Sequence, residues 1–178
     1  MRCRSYFGGC FDAFHRSSRY VDAHEVLTGT IALTHLFDQR FPADLGRMTD
    51  LRTRLRDGLA LCEIPTALVE RVVLVVDEVV TNSIEHGEGY RKSEQPIRVA
   101  IRQGEQGLEV EVDDLDVPPE LVGPLSKELD SEARTLPAMD HERGRGMFLI
   151  GMFLEDLRIA PVEGGGMRLQ GRLIEEDV

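Results

Sequence analysis

The sequence lacks several features that would assign it to a common class of protein. No apolar run approaches the roughly 18 to 20 residues of a membrane-spanning helix, and charged side chains interrupt residues 1–20 where a secretory signal would lie. The formal net charge is -11, whereas a nucleic-acid-binding protein needs a basic surface. We therefore expect a soluble cytoplasmic protein that binds neither membranes nor nucleic acids.

Cysteine is scarce and irregularly spaced. Cys3, Cys10 and Cys62 indicate reduced thiols rather than a disulfide framework. Cys3 and Cys10 could join His15 in a metal site, but a fourth ligand is missing, and a plain tail is the simpler interpretation. The sequence also lacks the G-x-x-x-x-G-K-[ST] pattern, which excludes a P-loop nucleotide site.

What the sequence does contain predicts one domain, residues 26–178, after an N-terminal tail of low order, residues 1–25. Alternating apolar residues predict strands, and apolar residues at three- and four-residue steps predict helices. Hairpin-linked strands with helices in blocks predict an α+β two-layer sandwich. The predicted elements are a strand at 28–37, helices at 43–63 and 65–86, strands at 96–103 and 108–114, a long loop at 115–143 with room for one short helix, a helix at 144–157, and strands at 157–162 and 166–175.

The segment VVDEVVTNSIEHG, residues 75–87, combines an apolar helical face with polar residues in register. Glu78, Asn82 and His86 are four residues apart and therefore lie along one line of a helix. A solvated helix edge explains a lone pair of this kind, and zinc is disfavoured because only His86 is a good zinc ligand. An amide oxygen suits Mg²⁺, and a carboxylate one turn earlier can accept a proton from a nucleophile. The pattern therefore also fits half of a phosphoryl-transfer site.

Two further segments fit a nucleotide beside that helix. In EVEVDD, residues 109–114, Asp114 shares the inward face of its strand with Val110 and Val112. A buried carboxylate needs hydrogen-bond donors, and an adenine amino group is one; a turn-capping aspartate is the alternative. In RGRGM, residues 143–147, paired glycines at a helix start would expose backbone N–H groups to an anion, and an ordinary loop-to-helix turn is the alternative.

With these segments in this order, residues 28–175 resemble the GHKL ATPase superfamily, which includes histidine kinases, gyrase-type ATPases and chaperones. The closest resemblance is to its small bacterial anti-sigma-factor serine/threonine kinases. LVVDEVVTNSIEHG is similar to their N box, and GRGMFLIGMFLEDL is similar to their glycine box and the helix after it. The resemblance implies the Bergerat ATPase fold, a mixed, mostly antiparallel sheet with helices on one face.

The resemblance also implies roles for particular residues. Glu78 would be the general base or orienting carboxylate for the acceptor hydroxyl, and Asn82 would ligate Mg²⁺. Asp114 would accept from the adenine amino group of ATP, and His86 would support the nucleotide nearby. The residues that would line the phosphate side of the lid are Gly144, Arg145, Gly146 and Met147.

The implied function is a cytoplasmic regulatory kinase that binds ATP and Mg²⁺, sequesters a sigma factor and phosphorylates a serine or threonine of an anti-sigma-factor antagonist. By analogy it would be a homodimer. One departure is Asp116, which stands where the family's adenine box has glycine and can narrow the pocket. It favours an alternative, a non-catalytic protein-binding module with a degraded adenine site. A detached histidine-kinase catalytic domain is disfavoured, because His24 and His35 lie outside any dimerisation-helix pattern.

Overall fold

The computed structural model describes residues 34–87, 89–91, 95–132 and 145–173, which all belong to one compact unit. The predicted tail with Cys3, Cys10 and His15 lies outside the described residues, as do the first part of the predicted strand 28–37, residues 133–143 and Gly144. The described elements are β1 Thr34–Phe41, a 3-10 turn Leu45–Arg47, α1 Met48–Ala60, α2 Thr66–Gly87, β2 Ile97–Gly104, β3 Gly107–Asp114, α3 Pro119–Glu132, α4 Arg145–Phe153, β4 Glu155–Pro161 and β5 Met167–Leu173.

The five described strands form one sheet in the order β1-β2-β3-β5-β4. Each neighbouring pair is antiparallel. The β4–β5 hairpin adds to the free edge of β3, so the end of β3 meets the start of β5, and Asp114 lies opposite Met167. The α+β expectation is confirmed, with antiparallel pairing throughout the described sheet.

One face of the sheet and the helices α1, α2 and α4 share the main apolar core. The long helix α2 crosses its centre, with Val72, Val76 and Val80 almost fully buried, and each such side chain contributes roughly 1.5–3 kcal/mol through burial. A Cβ at Gly58 of α1 would come within 2.9 Å of the Phe37 ring of β1, so glycine permits this close helix–strand contact. The strand residues that contribute to the core include Ile97, Val99, Ile101, Leu108, Val110, Val112, Leu169 and Leu173.

The opposite face of the sheet carries alternating arginines and carboxylates. Glu111 is only 5% exposed and accepts hydrogen bonds from Arg98 at 2.6 Å and Arg102 at 2.9 Å. Asp113 accepts from Arg168 at 2.7 Å. Because buried charges need partners, this network allows acidic residues to lie on a face that the described helices leave uncovered.

The region expected to be a long loop contains a substantial helix. The prolines after residue 117 suggested irregular structure, but Pro119 occupies the first helical position of α3, where a missing N–H costs nothing. Leu121, Val122 and Leu125 then pack against Tyr90, Ile159 and Met167 in a second small core. The apolar stripe therefore outweighs the helix-breaking tendency of Pro124, which lies inside α3.

The helix predicted at 144–157 is shorter than expected. α4 ends at Phe153, and Glu155 already pairs with Arg172 of β5. The apolar run in the sequence is longer than the helix because it includes Leu154, which lies after α4 and is buried. Leu154 packs against Gly171 of β5, where an added Cβ would lie 3.0 Å from the Leu154 side chain. None of the helices in the described part of the chain is both long and apolar enough to cross a membrane.

Candidate functional site

The acid and the amide of α2 lie beside the first turn of α4. A Cβ at Gly146 would clash with Oε2 of Glu78 and would lie 3.4 Å from Nδ2 of Asn82. That same Nδ2 donates to the sulfur of Met147 at 3.5 Å. Because α4 begins at Arg145, the positive end of this helix, with the N–H groups of its first turn, lies next to the Glu78–Asn82 pair.

A cavity of about 180 Å³ extends from this junction between the helices and the sheet. Asn82 and His86 lie along one wall of the cavity, and His86 is also exposed at the protein surface. Glu78 is not among the residues that line the cavity. This volume is below the roughly 300–1,000 Å³ usual for small-molecule sites. The lining residues include Asn82, Ser83, Tyr90, Leu125, Met147 and Met167.

Glu78 is half-buried and has a perturbed pKa. Burial raises the pKa of its carboxyl group above the ordinary value, and the nearby charges of Asp77 and Glu85 raise it further. A carboxylate with a raised pKa holds a proton more readily and is a better general base than an exposed one near neutral pH. Asp77 is not a candidate base, because its carboxylate forms an ion pair with Arg52 of α1 at 2.7 Å.

Asp114 points inward, as the alternation of β3 predicts, and is 1% exposed. Its Oδ2 accepts from the Ser83 hydroxyl and from Nη2 of Arg91, the latter at 2.5 Å. Its Oδ1 accepts from the backbone N–H of Asp116 at 3.0 Å. Neither Asp114 nor Arg91 is among the residues that line the cavity, so the carboxylate is enclosed by its own partners.

Arg91 is the residue of this region that sequence reasoning missed. Its Nη1 donates to the carboxylate of Asp116 at 3.2 Å, so one guanidinium bridges Asp114 and Asp116. The missing side chain of Gly87 makes room for it, since a Cβ there would lie 3.0 Å from Nε of Arg91. The sequence contains one indication of such a cation: Asp114 and Asp116 are close together, and two buried carboxylates need a positively charged partner.

The donor set near α4 suits a magnesium ion better than a metal held by the protein alone. Within the described residues there is no group of three or more His, Cys, Asp and Glu that could hold a metal ion. Mg²⁺ usually takes one or two protein oxygens and completes its shell with water and phosphate. Asn82 offers such an oxygen, and Gly146 lets the first turn of α4, with its backbone N–H groups, lie directly against the Glu78–Asn82 pair.

A larger depression of about 340 Å³ lies on the opposite face of the sheet. Charged side chains of the arginine–carboxylate network line it, including Arg102, Glu111 and Arg172. The α2–α4 cavity remains the better candidate site for a nucleotide, because it combines an apolar wall with polar groups and a helix N-terminus.

Comparisons with known proteins identify the family and the fold of this domain. A family model described as a histidine kinase-like ATPase domain matches residues 41–171. A chain of the crystal structure of the SiaB–SiaC complex from Pseudomonas aeruginosa matches with a TM-score of 0.62 and 18% identity, covering 77% of this chain and 88% of that chain. At this identity the structural match shows a common fold alone. No curated protein matches the chain. The family match includes α2, Asp114 and the start of α4.

Proposed function

Because this chain belongs to the histidine kinase-like ATPase domain family, we propose that it is a regulatory kinase that uses ATP and Mg²⁺ to phosphorylate a serine or threonine of an anti-sigma-factor antagonist. It also sequesters a sigma factor, and mutually exclusive binding of the two partners couples the activities. The proposal includes a cytoplasmic location and a homodimer. The observation that carries the chemistry is the contact of Glu78 and Asn82 with Gly146 at the first turn of α4.

Each residue at this junction has a distinct task in the proposed reaction. Asn82 would hold Mg²⁺ through its amide oxygen, and the bound ion would supply positive charge to the phosphate oxygens. Glu78 accepts the proton of the attacking hydroxyl, a task suited to a carboxylate whose pKa is raised by burial and neighbouring acids. His86, on the same line of α2, supports the nucleotide from the cavity wall.

The start of α4 supplies the anion site of the proposal. The backbone N–H groups at Arg145, Gly146 and Met147 lie at the positive end of a nine-residue helix, which favours phosphate oxygens. Gly144, directly before it, belongs to the same proposed segment. Glycine at position 146 is required for close approach, because any Cβ there would occupy space next to the Glu78 carboxylate.

The proposed partners of this chain are proteins. One solved structure with a similar fold is a complex of SiaB and SiaC, which supports a protein as one partner of this chain. The acidic net charge of -11 also suits protein partners rather than nucleic acid.

Asn82 allows a sharp test of nucleotide binding, because it is the only asparagine in the sequence. Protein labelled with ¹⁵N-asparagine should show one side-chain amide signal. We expect that signal to shift with ATP only when Mg²⁺ is present. Calorimetry should give saturable, Mg²⁺-dependent heat for the wild type and for Thr81→Ala, and none for Asn82→Ala. If none of the three proteins gave heat of binding, the proposal would be contradicted.

A phosphate-transfer assay separates binding from chemistry. We expect Glu78→Gln to bind Mg·ATP within a few-fold of wild type and to transfer phosphate at least about 100-fold more slowly, the range for loss of a general base. Glu85→Gln, an exposed acid on the same helix, is the matched control and should retain most of the rate. Undiminished transfer by Glu78→Gln would show that this carboxylate is not the base.

A second function remains a candidate because of one observation, the ion pair between Arg91 and Asp114. If Arg91 never leaves Asp114, the adenine site is closed and the domain acts as a non-catalytic protein-binding module. Mg²⁺-independent binding of the antagonist, with no effect of Asn82→Ala, would favour that function.

A further inference from the structure

We propose that Arg91 competes with the adenine amino group for Asp114, and that Asp116 is the position to which Arg91 withdraws when a nucleotide binds. The inference rests on the proposed function, because the ligand it describes is an adenine nucleotide. It adds a residue that controls affinity and base specificity at the same site.

The hydrogen-bonding capacity of Asp114 is nearly filled. A carboxylate oxygen accepts about two hydrogen bonds, and Oδ2 already receives Ser83 and Arg91. Oδ1 receives the backbone N–H of Asp116. An amino group that approaches Oδ2 must therefore displace a donor that is already bound there.

The burial of Asp114 shows that a neighbour has to move before any ligand reaches it. The side chain is 1% exposed and does not line the cavity. Ser83 is fixed within α2, and the donor of Asp116 is part of the backbone. Arg91 has a long side chain that is 13% exposed, and it is the partner able to leave without unfolding an element.

The contacts of Arg91 show how it can leave Asp114. Its Nε is buried and has no hydrogen-bond partner within the described part of the chain, so its present geometry is incompletely satisfied. Its second anion, Asp116, is already in contact through Nη1 at 3.2 Å. Arg91 can therefore release Asp114 and keep an ion pair.

The same geometry explains why an acid stands where the resemblance expects glycine. Asp114, Asp116 and Arg91 together carry one net negative charge, so withdrawal of Arg91 onto Asp116 leaves Asp114 charged and able to accept from an amino group. Asp116 and Arg91 thus act as a compensating pair, and the acid does not simply repel the nucleotide. The two side chains are expected to determine affinity together.

The test compares wild type with Arg91→Met, Asp116→Gly and the double variant Arg91→Met/Asp116→Gly. Mg·ATP is titrated against Mg·ITP, whose base carries an oxygen in place of the amino group. We expect the double variant to bind ATP at least about tenfold more tightly than wild type, because the competing state is removed. Asp116→Gly alone should bind more weakly than wild type, since among the described residues Asp114 is then the one carboxylate that pairs with Arg91. ITP affinity should change much less.

Three outcomes would overturn the inference. Equal or weaker ATP binding by the double variant, with binding by wild type intact, would refute the competition and leave the proposed function standing. Equal gains for ATP and ITP would show that Arg91 only fills space. Absence of nucleotide binding in all four proteins would overturn the inference and the proposed function together.

Two further variants control for folding and for charge. Arg91→Lys keeps the positive charge but loses the two-pronged guanidinium that bridges both acids, so it should bind ATP more tightly than wild type. This variant keeps the inference testable if Arg91→Met fails to fold. Arg56→Met removes an arginine from the exposed pair with Glu70 at 2.7 Å and should leave both affinities unchanged. A loss of ATP binding by folded Arg91→Lys would contradict the inference.

Discussion

At the scale of single residues, the candidate site depends on one glycine and on one acid with a raised pKa. Gly146 permits α4 to start against α2, and Glu78 is the group it contacts. Gly146 and Glu78 contact each other although they are distant in the sequence. Their substitution should therefore have effects that local propensity does not predict.

Gly146→Ala should destabilise the protein even though alanine is the better helix former. The added Cβ collides with Oε2 of Glu78, and overpacking of this kind costs about 1–3 kcal/mol. Gly123→Ala is the matched control, because it is also helical and a Cβ there meets nothing within 4 Å apart from its chain neighbours. Because Gly123 precedes Pro124 in α3, a Cβ there meets the proline ring, which offsets the better helix propensity of alanine, and we expect the control to change stability by about 0.5 kcal/mol or less. Urea unfolding measures both, and equal shifts in the two variants would contradict the role of the contact.

Glu78→Gln should increase stability at neutral pH. Because burial, then Asp77 and Glu85, raise the pKa of Glu78 above 4.5, the folded protein binds this proton more readily than the unfolded chain. Its contribution to stability is fully present below pH 4.5 and is lost as pH rises through the folded pKa. We expect the free energy of unfolding of the variant to exceed that of wild type by about 0.5 kcal/mol or less above that window.

The gain of Glu78→Gln should disappear in acid, where wild-type Glu78 is protonated. Asp77→Asn makes the same change of charge one residue earlier but breaks the ion pair with Arg52, so it should lower stability. Thermal unfolding over a pH series distinguishes the two variants. A Glu78→Gln protein that is less stable than wild type at every pH would contradict the pKa assignment.

At the scale of elements, the sheet has two chemically different faces. The helix side is apolar, whereas the other side depends on arginine–carboxylate pairs centred on β3. Burial alone would raise the pKa of Glu111, but hydrogen bonds from Arg102 and Arg98 outweigh it and lower that pKa. The stability from Glu111 is therefore present above pH 4.5 and is lost as pH falls through the folded pKa.

Glu111→Gln should destabilise the sheet by about 2–3 kcal/mol at neutral pH, because it removes the shared acceptor of several buried donors. Glu109→Gln, on the same face of β3 two residues earlier, is the matched control and should change stability by about 0.5 kcal/mol or less. The difference in free energy of unfolding between wild type and Glu111→Gln should decrease as pH falls below 4.5, because Glu111 of the wild type then becomes protonated. Equal losses in the two variants at neutral pH would indicate a general charge effect.

At the scale of the whole molecule, the cavity connects α2, α3, α4 and the far half of the sheet. A ligand that fills it contacts residues of all these elements. Binding to the folded state alone stabilises that state by mass action, independently of any catalysis. Stability measurements therefore report on nucleotide binding without a known protein substrate.

Mg·ATP at about 100 times its dissociation constant should raise the free energy of unfolding by about 2.7 kcal/mol. For a chain of this size that corresponds to a rise of roughly 5–10 °C in Tm. Asn82→Ala should lose the rise in Tm, whereas Thr81→Ala should retain it. Differential scanning calorimetry measures the change. An identical rise in Tm for Asn82→Ala would exclude Asn82 as a ligand of the bound complex.

The sequence by itself determined the features that repeat locally. The three- and four-residue apolar spacing predicted α2 with Glu78, Asn82 and His86 on one line, and the alternation of β3 predicted an inward Asp114. These predictions succeeded because side-chain direction follows from the backbone period alone. The family resemblance came from the same short segments, which the match over residues 41–171 confirms at the level of the ATPase domain.

Only the tertiary structure decided which of these segments meet. The pairing of β5 with β3, the end of α4 at Phe153 and the packing of α3 all depend on contacts between distant residues. The contact between Asn82 and Met147 spans 65 positions, and that between Arg91 and Asp114 spans 23. No local period specifies such pairs, because their energy arises only when the chain has folded and excluded water from both partners.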